Sequence, residues 1–121
     1  MSWEEKLIII EKYDEFLHYI YPVLQKIPRT EGVLKEDVIK LVLDTPELIY
    51  RAIKSPQISK MYDVDIRLSV IRHRIRFLSD DRIKVISKKQ SQVSQVKLGE
   101  VGKIVGKMIS NQQKGKEDNR S

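Results

Sequence analysis

Residues 61–78 read MYDVDIRLSVIRHRIRFL. At about 100° per residue, Met61, Val64, Leu68, Ile71, Ile75 and Leu78 fall on one face of a helix, and that stripe belongs in a bundle core. Arg67 and Arg74 flank it on one side and Arg72 and Arg76 on the other, where their stems can cover apolar surface while the guanidinium groups stay in water. Tyr62, Ile66, Val70, His73 and Phe77 occupy the opposite face. Single apolar residues are common on ordinary surfaces. A helix with two apolar faces separated by arginines, however, points to one covered twice, once by its own bundle and once by another chain. These residues are therefore the candidate oligomer interface.

Helical spacing continues on both sides of this stretch. Val38, Leu41, Val42, Thr45, Leu48, Ile49 and Ala52 predict a second helix from about Leu34 to Lys54, bent at Pro46. Ile9, Tyr13, Phe16, Leu17, Ile20, Leu24 and Ile27 form the apolar face of a first helix, opened by a Ser2 and Glu5 capping box and kinked at Pro22. Pro28 to Gly32 makes a turn. Ser55 and Pro56 close the second helix and open the third, which is expected to run to about Ile86. A second capping box at Ser87 and Gln90 starts a fourth helix carrying Val93, Val101, Ile104, Val105 and Met108. The polar stretch from Asn111 to Ser121 is expected to be a disordered tail, leaving residues 1–110 as the folded domain. With no strand-like alternation and short connections, the fold class is all-α, an antiparallel up-and-down four-helix bundle.

Charge is divided unevenly along the chain. Residues 1–54 hold 8 Lys and Arg against 10 Asp and Glu, whereas residues 55–121 hold 15 against 7. Arg67, Arg72, Arg74, Arg76, Arg82, Lys84, Lys88 and Lys89 lie between Asp65 and Gln90, opposed only by Asp80 and Asp81. Such a concentration supplies phosphate affinity without sequence preference and steers encounter with nucleic acid; the alternative is a solvated basic face. A chain of 121 residues suits one domain, and the absence of cysteine removes disulfides, thiolate metal sites and thiol redox chemistry. The longest apolar run is Leu7 to Ile10, too short for a transmembrane span or secretory signal, so a cytoplasmic location is expected.

Gly99, Gly102 and Gly106 collect on one side of the fourth helix. Each costs about 1 kcal/mol relative to alanine in a helix interior, which suggests close backbone approach by a neighbouring helix. Catalytic constellations are not evident. His18 and His73 stand on different helices, and the pairs Asp63 with Asp65 and Asp80 with Asp81 point too far apart to share an ion. A metal-dependent nuclease would require a spatial assembly such as Asp14, Asp44 and Asp80. No enzyme activity and no cofactor or metal is expected.

Three ordered groups of residues carry a family resemblance. Tyr13-Asp14 through Pro22 to Ile27-Pro28-Arg29, the basic run ending at Ile86-Ser87-Lys88-Lys89-Gln90, and Glu100-Val101-Gly102-Lys103-Ile104-Val105-Gly106 resemble the accessory variability proteins of diversity-generating retroelements. The resemblance spans residues 9–110 and is most specific at the Pro28-Arg29 turn and the Glu100 to Gly106 stretch. Lys107 and Met108 stand where those proteins often have glycine and tryptophan. The wider four-helix-bundle group includes proteins encoded by intervening sequences of ribosomal RNA genes, an oligomeric alternative with an undefined binding role. The resemblance implies a homopentameric ring without catalytic activity. It also implies binding of RNA or DNA and of the retroelement reverse transcriptase, which copies template RNA into cDNA with errors. The eight cations from Arg67 to Lys89 would then present a basic surface to nucleic acid or polymerase.

Overall fold

The stripe at Met61, Val64, Leu68, Ile71, Ile75 and Leu78 is buried as a unit and forms one wall of the core. The computed structural model describes residues 3–120, with side chains described through Lys114. Helix α1 spans Trp3–Gln25, α2 Gly32–Lys54, α3 Ile58–Ser79 and α4 Lys88–Arg120, with a 3-10 turn at Arg29–Glu31 between α1 and α2. Each helix packs on its neighbours in the chain and α1 closes on α4, which completes a four-helix bundle. Cross-helix pairs fix the antiparallel sense: Arg67 meets Thr45 whereas Arg74 meets Asp37, and Tyr62 meets Gln113 whereas Arg72 meets Gln95. No strand occurs among the described residues.

The core contains the residues that the helical period selects. Ile9, Tyr13, Phe16, Ile20 and Leu24 of α1 and Val38, Val42, Thr45, Ile49 and Ala52 of α2 are buried, while Leu17, Leu41 and Leu48 lie half-buried at its margin. The fully buried Val, Leu, Ile and Phe side chains among them each contribute about 1.5–3 kcal/mol. Ser91, Ser94 and Leu98 of α4 are also buried, although the spacing argument passes over them. Two small hydroxyls fit inside because a serine can return its proton to its own helix: Ser94 Oγ donates to the Gln90 carbonyl at 2.7 Å.

Both α1 and α2 run through their prolines. Pro46 has no N–H to donate to the carbonyl of Val42, four residues earlier. The Tyr13 hydroxyl donates to that oxygen instead, at 2.5 Å across the core. Burial pushes the Tyr13 phenol above its ordinary pKa, with Thr45 and Arg67 acting in the opposite direction. Thr45 Oγ1 donates to the Leu41 carbonyl at 2.7 Å and accepts from Arg67 Nη1 at 3.5 Å, so the polar groups around the proline are joined to α3.

Three boundaries differ from those expected. Helix α3 stops at Ser79 and not near Ile86, because the Asp80 carboxylate accepts the Arg82 N–H at 2.9 Å and offers the backbone a turn in place of another helical step. The connection then folds back, with the Ile83 and Lys84 N–H groups donating to the Asp80 carbonyl and those of Val85 and Ile86 to the Leu78 carbonyl. Lys84 takes a positive φ of 51° there. The capping box at Ser87 and Gln90 forms in both directions, at 2.9 and 3.0 Å. At the other boundaries, α3 begins at Ile58, after the Ser55 hydroxyl has taken the Gln57 N–H, and α4 continues through Asn111 to Arg120. The polar segment from Asn111 onward therefore continues the helical backbone where a disordered tail was expected, since glutamine and lysine are good helix formers and Gln113 reaches Tyr62. Ser2, half of the other expected capping box, lies outside the described residues.

Candidate nucleic-acid and assembly surface

Helix α3 presents its second apolar face to the outside of the bundle. Tyr62, Ile66 and Phe77 are 40%, 61% and 43% exposed, His73 is exposed and Val70 is half-buried. Leu48 of α2 joins Ile66 and Val70 in one shallow depression, and Val33, Leu34 and Ile83 join Phe77 in another. Val33, 88% exposed, extends the strip beyond the end of α3. Sequence reasoning did not place Val33, Leu48 and Ile83 in this strip because none of them belongs to α3: Val33 and Leu48 lie on α2, and Ile83 lies in the connection after α3. Tyr62 sits at the strip's edge, where its hydroxyl accepts from Gln113 Nε2.

The cations do not form one surface. Arg72 and Arg74 are two residues apart and point about 200° away from each other. Arg74 Nε lies 3.4 Å from Asp37 and Arg67 reaches Thr45, so both lie along the α2 side of the strip. Arg72 lies on the α4 side, donating from Nε to Gln95 Oε1 at 2.8 Å while Gln95 Nε2 donates back to the Arg72 carbonyl at 3.0 Å. These arginines join helices, and their guanidinium groups are half-buried or shared with in-chain partners.

The remaining cations gather where α3 ends and α4 begins. Arg82 stands 3.5 Å from Asp80, and Lys88 stands 3.1 Å from Asp81. The Arg82 N–H, followed by the Arg82 and Lys88 charges, holds the Asp80 carboxyl below its ordinary pKa. Among the described residues, Arg76, Lys84 and Lys89 are exposed and have no ion pair within the chain. Lys84 and Lys88 line an open cleft of about 460 Å³ together with Lys26, from the end of α1. Lys26 escaped the sequence reading because it lies far from the basic run; only the up-and-down topology brings the end of α1 to the connection between α3 and α4.

The glycines do not serve close packing inside the bundle. A Cβ built on Gly99, Gly102 or Gly106 meets nothing within 4 Å, because these positions lie on the side of α4 that its neighbours leave open. Among the described residues, no three His, Asp or Glu side chains gather in a metal-binding group, so Asp14, Asp44 and Asp80 stay apart. No described helix is long and apolar enough to cross a membrane.

A family model described as bAvd-like matches residues 7–112, a span that takes in α2 and α3 whole and most of α1 and α4. No curated protein matches the chain. The matched span includes the Pro28-Arg29 turn, the basic connection and the Glu100 to Gly106 stretch. On that match, the chain belongs to the bAvd-like family of accessory variability proteins.

Proposed function

We propose that this chain is a non-catalytic accessory component of a diversity-generating retroelement, binding RNA or DNA and the element's reverse transcriptase while the polymerase copies template RNA into cDNA. Family membership supports the accessory role. The nucleic-acid part rests on the exposed, unpaired cations Arg76, Lys84 and Lys89 and on the cleft that Lys26, Lys84 and Lys88 line together with Asp81. Phosphate oxygens suit such a surface, and nothing in it forms a base-reading element. The same reading takes the strip of Tyr62, Ile66, Val70, His73 and Phe77 as the contact between copies in a homopentameric ring, which repeats the basic end around an axis.

Filter binding over a salt series tests the nucleic-acid surface. Replacing Arg76, Lys84 and Lys89 with Gln leaves the helix-joining Arg67, Arg72 and Arg74 in place, so circular dichroism should be unchanged. Each lost phosphate contact lowers the slope of log affinity against log salt by about 0.7–0.9. The triple variant should therefore bind more weakly with a clearly shallower slope. Unchanged affinity and slope in a folded variant would reject this surface and leave the polymerase contact as the role of these charges.

A further inference from the structure

All four helices converge on a cavity at the end of the bundle opposite the basic connection. Its volume is about 170 Å³, and its lining includes Ala52 and Ile53 of α2, Met61 of α3 and Met108 of α4, with Lys6 of α1 and Gln112 of α4. Gln112 Oε1 is buried and accepts no hydrogen bond, whereas the adjacent Gln113 is paired with Tyr62. A buried acceptor without a partner carries a free-energy cost that a ligand donor would remove. Two methionine thioethers in the lining favour contact with aromatic rings, and the Lys6 ammonium favours an aromatic face over an aliphatic chain. The volume suits one ring system, since apolar cavities of about 150 Å³ receive benzene.

We propose that this cavity is a binding site for a small aromatic group bearing one N–H or O–H donor, with the donor bonded to Gln112 Oε1 and the ring held between Met61 and Met108. A free indole or phenol and a Trp or Tyr side chain of a protein partner share that chemistry. The site uses none of the residues of the basic surface or the apolar strip, so it stands or falls apart from the proposed function.

The test uses the full chain with 13C-labelled methionine methyls, titrated with indole, phenol and toluene. Indole and phenol should shift the Met61 and Met108 methyl signals saturably, and toluene should bind about tenfold more weakly because it leaves Gln112 Oε1 unpaired. In Gln112→Leu that preference should disappear while toluene binding persists. Ala52→Leu should fill the floor and abolish all shifts; if it fails to fold, the Gln112→Leu comparison decides alone. N-acetyltryptophanamide separates the sources: binding as tight as indole assigns the site to a side chain of a partner, and binding of indole alone assigns it to a free small molecule. Absence of saturable shifts at millimolar indole and phenol would overturn the proposal, as would equal affinity for indole and toluene in the unaltered protein.

Discussion

Replacing Tyr13 with Phe removes one oxygen from the middle of the core and leaves the ring in place. The ring is fully buried and packs against Phe16 with centroids 5.5 Å apart, so the apolar contacts and volume are retained. What is lost is the donor to the Val42 carbonyl, which Pro46 leaves without its helical partner. An unpaired buried carbonyl costs about 1–3 kcal/mol, and that is the expected loss of stability. Denaturant unfolding at fixed protein concentration measures it, because any self-association makes apparent stability depend on concentration. The decisive comparison is in a Pro46→Ala background, where the substitution restores a backbone N–H that can donate to the Val42 carbonyl. There the cost of Tyr13→Phe should fall below about 1 kcal/mol, giving a coupling between two residues on different helices. Equal cost in both backgrounds would refute the argument that the tyrosine replaces the donor that proline lacks.

Alkaline titration tests the same residue by another route. The unfolded chain releases its tyrosine proton near pH 10, whereas burial holds the folded Tyr13 phenol neutral above that. The folded state then binds more protons, so this stabilisation is fully present below about pH 10 and is lost as pH rises above it; Tyr13→Phe should flatten that fall. Gly106→Ala should raise stability by about 0.5–1 kcal/mol, since its Cβ enters open space, and a loss would mean that another chain lies against α4. Arg72→Leu should cost about 1–3 kcal/mol by removing the guanidinium donor from Gln95 Oε1 while the Gln95 bond to the backbone carbonyl at position 72 remains, whereas Arg76→Leu should stay within about 0.5 kcal/mol in thermal melts of equal concentration. Ile66→Glu with Phe77→Glu should yield smaller, still helical species by light scattering if the strip joins copies; an unaltered protein that is monomeric at micromolar concentration would reject that contact.

Much of the fold follows from local rules that a sequence carries in full. The helical period alone selects the buried face of α3, and the Ser87 and Gln90 capping box is complete within four residues. The end of α3 was harder to read because Asp80 can sit in a helix or capture the Arg82 N–H, and only its backbone geometry distinguishes the two. The family was also readable, from the turn at Pro28 and Arg29 and the Glu100 to Gly106 stretch, and the match over residues 7–112 agrees with it.

The roles of single charges were decided by tertiary structure. Arg72 and Arg76 look alike in sequence, yet one is clamped to Gln95 and the other is free in solvent. Lys26 joins Lys84 and Lys88 only because an up-and-down bundle returns the end of α1 to the start of α4. The sequence determined which side of each helix turns inward, because that depends on a period of 3.6 residues within one segment. Only the assembled bundle decided which polar groups meet, because a pairing such as Tyr13 with Val42 depends on the relative height and rotation of two helices that no local pattern encodes.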